Sequence, residues 1–351
     1  MPELRLKILV ISANYPPEHS GGYELRIRDI IDGLDKKGHA IRVLTTRKNY
    51  FTVKKSVQMP YPIYRFLHNR NHAKFFPKEV FFDLLDTKFV DHHIKDFKPD
   101  VIYLGHIYIL SKALLPFLAN LKTPIVLDEG GASLKGAWTE RGRWFRFTGD
   151  YGEDSLLIRF LKPFVIKLVE LLSKGRIKRN WRWPERMHVI INNRHNLENL
   201  QALGIPLKNA QVIYSGIDTE KFSFVPREKI TQPVKIICPS RIEKRKGVLD
   251  CVELVNVLKK SEIESQMTIV GAIASTKFHQ KVLERIKNLS LQDQISVSDM
   301  VPQETLIGLY QQMDICFFPS YQKMGFSRTP LEAMACGCVM ISYGNEGSNE
   351  I

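Results

Sequence analysis

The sequence predicts an α/β protein built as two tandem, doubly wound parallel-sheet units. Short β-rich runs alternate with helical patterns along the whole chain, as expected where parallel strands are joined by crossover helices. The alternation comes in two series, separated by a polar, proline-containing stretch at Ser223–Pro233. At 351 residues the chain is long enough for two domains. These observations place a first domain at 1–222, a linker at 223–233 and a second domain at 234–351.

In the first series the β-rich runs are Lys7–Ser12, Ala40–Thr45, Val101–Leu104, Pro124–Leu127, His188–Ile191 and Gln211–Tyr214. Helical stretches lie between them near Tyr23–Lys37, Lys78–Phe97, Ile109–Leu121, Asp154–Lys174 and Arg194–Leu203. The second series has strands at Lys235–Pro239, Met267–Gly271, Gln294–Val297, Asp314–Phe318 and Val339–Ser342. Its helices lie near Val248–Lys260, Lys277–Leu289, Gln303–Gln312 and Arg328–Ala335. Open α/β sheets bind ligands beyond the carboxyl ends of their strands. The loops after Ser12, Leu127, Pro239, Gly271, Val297 and Phe318 are therefore the places to look for chemistry.

Composition narrows the classes. A hydrophobic content of 44% is ordinary for a globular protein, and no apolar run approaches a membrane span. The opening MPELRLKILVIS reads as a first strand rather than a leader. All five cysteines lie in the second half without C-x-x-C spacing, which favours a reducing cytoplasm over a disulfide framework or zinc site. A net charge of +14 favours anionic partners.

Three loops carry residue types suited to phosphate. In SGGYELRIRDIIDGL, Gly21-Gly22 precede a helix whose apolar positions Leu25, Ile30, Ile31 and Leu34 recur at helical spacing. A glycine pair there outlines a phosphate cradle, although a plain turn fits as well. In PSRIEKRKGVLD, Arg241 offers a bidentate fork and Lys246 a point charge around a short turn before Gly247. A solvated basic loop is the bland reading, and the position after the second domain's first strand favours the functional one. In FFPSYQKMGFSRTPLEAMACG, Gly325-Phe326-Ser327 form a loop whose backbone can approach a ligand closely. Pro330 suits the first turn of the helix that follows, and Glu332 sits just after, placed to receive hydroxyl groups.

Together these motifs resemble the retaining glycosyltransferases of family 4, which have the GT-B fold of two Rossmann-like domains facing across a cleft. The marks are SGGYE with KGHAIRVLT, then VIYSGIDTEKF, SRIEKRKG and PSYQKMGFSRTPLEAMACG, in that order over nearly the whole chain. The resemblance implies a nucleotide-diphosphate sugar donor (a UDP-, GDP- or ADP-sugar) bound mostly by the second domain, with no metal required. It implies that Arg241 and Lys246 neutralise the diphosphate leaving group. It also implies that Gly325, Phe326 and Ser327 hold sugar and phosphate, that Glu332 receives the ribose hydroxyls, and that Gly21 and Gly22 supply the first domain's contribution. The acceptor implied is a glycan or lipid-linked molecule, in cell-surface polysaccharide or glycolipid synthesis.

The match is not complete. The family carries a second glutamate eight positions before the one at Glu332, and here that position is Met324, which can neither accept a hydroxyl nor stabilise positive charge. A catalytically weak or inactive binding or scaffold protein of the same fold is thus the alternative, with a sugar-nucleotide epimerase behind it. After Leu127, where the family often has a histidine, stand Asp128 and Glu129, open to a base-like role or to capping a loop. His106 is a similar acceptor-side candidate, with ordinary packing the commoner role. GNEGSNEI resembles a loop that leads to a further strand and helices, so the second domain is expected to be incomplete.

One segment stands outside these motifs. From Lys135 to Arg186 there are 13 basic and 6 acidic residues, a net +7, together with all four tryptophans. Within it, Ser155–Lys174 gathers Arg159, Lys162, Lys167, Glu170 and Lys174 on one helical stripe, the rest being apolar, with Pro163 expected to start a new turn or kink the helix. A helix packed on the sheet is the simpler expectation for it. The following KGRIKRNWRWPER suits an anionic membrane surface as well as it suits a solvated loop. The expected setting is the cytoplasm, with peripheral attachment to the inner face of the membrane as an option. Nucleic acid is not an expected partner, since charge alone would support it.

Overall fold

Ile8 to Ile11 are all apolar and buried, and a strand with no polar face must be covered on both sides. Lys7–Ser12 forms β1 in a computed structural model of the chain, which describes residues 4–17, 21–47, 59–69, 76–105, 107, 109–111, 113–130, 134–135, 156–178, 186–226, 229–321 and 326–351. Leu9 and Ile11 turn to one face and Ile8 and Val10 to the other. Helix α1 (Gly22–Lys36) covers the second face with Ile27 and Ile31. Helices α2 (Phe76–Phe97) and α3 (Leu114–Ala119) cover the first with Val90, Leu114 and Phe117.

The first sheet comprises β1, β2 (Ala40–Thr46), β3 (Ile63–Leu67), β4 (Val101–Leu104), β5 (Ile125–Glu129), β6 (Met187–Ile191) and β7 (Ala210–Val212). Its order is β3-β2-β1-β4-β5-β6-β7, and every neighbouring pair is parallel. Two further helices, α4 (Leu156–Leu172) and α5 (Arg194–Ala202), complete this unit among the described residues. The Asn193 side chain caps α5 by accepting from the Asn196 amide at 2.6 Å.

The second sheet has β8 (Val234–Pro239), β9 (Ser265–Val270), β10 (Ile295–Ser298), β11 (Ile315–Phe318) and β12 (Val339–Ser342), in the order β10-β9-β8-β11-β12, again parallel throughout. Alternation along β8 divides its cover. Ile236 and Cys238 pack under α6 (Val248–Lys260) and α7 (Thr276–Asn288). Ile237 packs with Tyr310 of α8 (Gln303–Gln312) and with Ala333 of α9 (Arg328–Ala335). The chain divides into Met1–Ile213 and Tyr214–Ile351. The sequence sets its boundary later, at 222, but Phe222 is buried among second-unit residues, so the stretch before the linker belongs to the second core.

Several expectations need correction. β3 is absent from the predicted strands: it is a short edge strand beside Pro60 and Pro62, where proline masks the β signal. The predicted Ile109–Leu121 helix contracts to α3, because Ile109 and Leu110 are buried in the turn that precedes it. In α1 the buried positions are Glu24, Arg26, Ile27 and Ile31: of the apolar positions Leu25, Ile30, Ile31 and Leu34, Ile31 enters the core and Leu34 packs against it, but two charged side chains also turn inward. Pro163 lies within α4, which continues through it from Leu156 to Leu172. This helix is not simply buried: one face packs while Phe160, Phe164, Leu168, Leu171 and Leu172 are exposed.

Candidate functional site

In the second sheet the strand order reverses between β8 and β11, and the crevice beyond their carboxyl ends is where such sheets bind ligands. β8 delivers the chain through Ser240 and Arg241 to Ile242, which bridges in parallel to Ile273. A single 3-10 turn, Lys244–Lys246, follows, and Gly247 then starts α6 with φ +66°. Only glycine fits here. A Cβ would stand 2.0 Å from the Pro319 carbonyl oxygen, at the exit of β11, and the positive φ would strain any L side chain. Gly271, after β9, approaches the Ser240 carbonyl oxygen as closely, with 2.2 Å to an added Cβ.

The two loops at the switch point are fastened to each other. The Tyr321 amide donates to the Arg245 carbonyl at 3.0 Å. The hydroxyls of Tyr321 and Tyr343 both donate to Asp250 Oδ2 in the first turn of α6, the latter at 2.6 Å. Their rings stack at 5.5 Å, and Asn345 donates to the Ser320 carbonyl at 2.6 Å. The basic loop is thereby held beside the end of β11.

Charge in this loop is arranged around Glu243. Its mostly buried carboxylate lies 3.2 Å from Arg241 and 3.3 Å from Arg245, and both guanidinium groups remain well exposed. Lys246 is half-buried, with Nζ 5.6 Å from the centre of the Phe318 ring. Burial, and then the nearby Arg241 charge, hold its ammonium below the ordinary lysine pKa. A cation pushed this way gains when an anion arrives. The structure thus brings Arg241 and Lys246 together on one rigid loop at the carboxyl end of β8. Arg245 and its anchor Glu243 belong to the same cluster. The sequence reading passed over both, although their spacing within SRIEKRKG was visible.

Ser327 precedes α9, making no side-chain cap, and the Phe326 ring lies 5.0 Å from that of Tyr214. Glu332 is buried at 7% exposure, with Arg328 Nε donating to its Oε1 at 3.3 Å. This intrahelical pair, four residues apart, was not foreseen. Gly325 and Met324 lie outside the described residues, as do His106 and the four tryptophans. In the first unit, Gly21 and Gly22 are exposed at the start of α1, with extended backbone at Gly21.

The acidic pair after β5 is turned inward. Asp128 and Glu129 are fully buried. Asp128 meets Arg26 at 2.5 Å and accepts from the Tyr103 hydroxyl, while Glu129 accepts the Leu134 amide at 2.7 Å. Gly130 leaves room for the Tyr23 ring, whose nearest carbon an added Cβ would meet at 1.9 Å. Of the two roles left open for these acids, the structure supports the shaping of the loop.

Two doubly wound parallel sheets in tandem define the GT-B class of glycosyltransferase fold, and solved structures agree. A glycosyltransferase from Rickettsia africae superposes with a TM-score of 0.68 at 19% identity, over 99% of this chain and 81% of that one. HepE of Anabaena, solved with UDP and glucose, superposes at 0.62 with 17% identity, covering 99% of this chain and 83% of HepE. Residues 219–351 match the family described as glycosyl transferases group 1. The amylovoran biosynthesis glycosyltransferase AmsK of Erwinia amylovora is 27% identical over 157 residues. That alignment spans 43% of this chain and 38% of AmsK.

Proposed function

We propose that the chain is a retaining glycosyltransferase that takes a sugar from a nucleotide-diphosphate sugar held by the second unit. The acceptor would be a glycan or lipid-linked molecule of polysaccharide or glycolipid synthesis, in line with the polysaccharide pathway named for AmsK. One observation carries the reading: Arg241 and Lys246 stand on a loop fastened beside the end of β11, at the switch point, within the matched family region. HepE, with UDP and glucose, supports a sugar nucleotide as the donor class.

The chemistry that follows is electrostatic. As the bond from the anomeric carbon to the diphosphate breaks, negative charge grows on the leaving oxygens. Cations already in place stabilise that charge without reorganising. Arg241 is oriented by Glu243, and Lys246 by the Phe318 face. The retaining outcome rests on the family resemblance.

The test is a thermal-shift and turnover screen with UDP-, GDP- and ADP-sugars on the intact chain and on Arg241→Ala and Lys246→Ala. One nucleotide should raise the melting temperature of the parent. Each variant should lose the shift and lower turnover on the order of a hundredfold or more. Affinity should decline with rising pH below the ordinary lysine range of about 10.4, because the lowered pKa lets Lys246 lose its charge early. A parent that responds to no sugar nucleotide would sink the proposal.

A second reading is favoured by Met324, where the resembled family carries glutamate: donor binding with little or no transfer. It predicts a normal thermal shift with negligible turnover, and a gain of turnover in Met324→Glu.

A further inference from the structure

Helix α4 has a face that its own fold does not use. Ile166 and Val169 are buried, and Val165 and Val169 pack with Val80 and Leu84 of α2 and with Ala113 and Ile177. That contact meets the helix's need for cover on one side. On the opposite side Phe160, Phe164, Leu168, Leu171 and Leu172 are exposed by 70, 66, 53, 75 and 54%. At about 100° per residue these five fall within an arc of roughly 120°, and they run about 18 Å along the axis. The Phe160 and Phe164 rings lie 6.0 Å apart, so the stripe is continuous at its start. Single exposed apolar residues are unremarkable, whereas five on one face mark an interaction surface.

The charges around the stripe indicate the partner. Lys167 is exposed on its flank, and Lys174 and Lys178 are exposed just beyond the helix end. Glu170 lies on the same flank, farther from the stripe than Lys167, and is half-buried. The stretch 135–186 that contains the helix carries a net +7, and the whole chain +14, so a second copy would bring like charge to the face. No helix among the described residues is long and apolar enough to cross a membrane, and a stripe this short and one-sided suits a helix lying flat in an interface.

We propose that this face of α4 docks on an anionic lipid bilayer, with the apolar stripe entering the boundary between headgroups and acyl chains and Lys167, Lys174 and Lys178 meeting lipid phosphates. This does not depend on sugar transfer: either proposal survives failure of the other.

The experiment is vesicle flotation of the intact chain. The vesicles contain phosphatidylglycerol and phosphatidylcholine in equal parts, or phosphatidylcholine alone. The parent chain should float with anionic vesicles at low salt, bind neutral ones weakly, and be partly released as salt screens the lysines. Phe164→Ser with Leu171→Ser should weaken partitioning by roughly tenfold or more. Reversal of Lys167, Lys174 and Lys178 to Glu should weaken it on the order of a hundredfold. Unfolding midpoints should stay unchanged, since all five side chains are solvent-exposed, and the charge reversal gives an independent readout if the serine variant does not fold. No flotation of the parent at low salt, or equal binding by both variants, would overturn the assignment. So would a parent that self-associates through this face, shown by light scattering in which only the serine variant is monomeric.

Discussion

Arg26 and Asp128 form an ion pair with almost no access to water: their side chains are 8% and 0% exposed. The Tyr103 hydroxyl donates to the other Asp128 oxygen, and the Tyr23 hydroxyl to the Asp128 carbonyl. Burial, followed by the Asp128 charge, pushes both phenols well above their ordinary pKa, so they act as donors. A buried pair of this kind adds little net stability, but removing one partner strands the other. Arg26→Ala is expected to cost about 3–5 kcal/mol in a denaturant titration. A loss below about 1 kcal/mol would show that Tyr103 satisfies the carboxylate alone. The sequence displayed these charges but not their burial. Asp128 is buried by a partner 102 positions away, and no local pattern encodes that contact. Glu332 repeats the point at shorter range. Its place in the helix was legible, while the pairing with Arg328 depends on which face α9 turns inward.

Local chemistry does specify the elements well. Strand β1 and helices α6, α8 and α9 lie where their hydrophobic periodicity puts them, because each is either apolar throughout or cleanly two-faced. β3 escaped notice because a short edge strand next to proline shows neither pattern. The basic loop is intermediate: its charges could be read, but its attachment to β11 could not. That attachment hinges on Gly247. Gly247→Ala should cost about 1–2 kcal/mol from left-handed backbone strain alone, with a further loss as the Pro319 carbonyl is forced away. Nucleotide affinity should fall along with stability, since the same shift separates Lys246 from Phe318. An alanine variant with full affinity in a calorimetric titration would show that the site tolerates a looser junction.

Each unit has its own core, with Leu9, Ile11 and Leu104 at the centre of one and Ile236, Cys238 and Val252 at the centre of the other. Ligand bound to the second unit therefore stabilises that unit first, by about 2.7 kcal/mol at a hundredfold excess over Kd. Hydrogen exchange with saturating nucleotide should show protection concentrated in 234–247 and 317–335. Protection confined to 1–213 would place the nucleotide on the wrong unit. The all-parallel sheets also bear on how the chain is made. Among the described residues no strand pairs through a tight hairpin. Ile8 of β1 waits for Val101 of β4, which is 93 residues later. At synthesis rates of about 5–20 residues per second, the first strand emerges roughly 5–20 s before the neighbour that completes its sheet. During that interval a fully apolar strand has one open edge, so the nascent first unit is the stage at which this chain most needs shelter from aggregation.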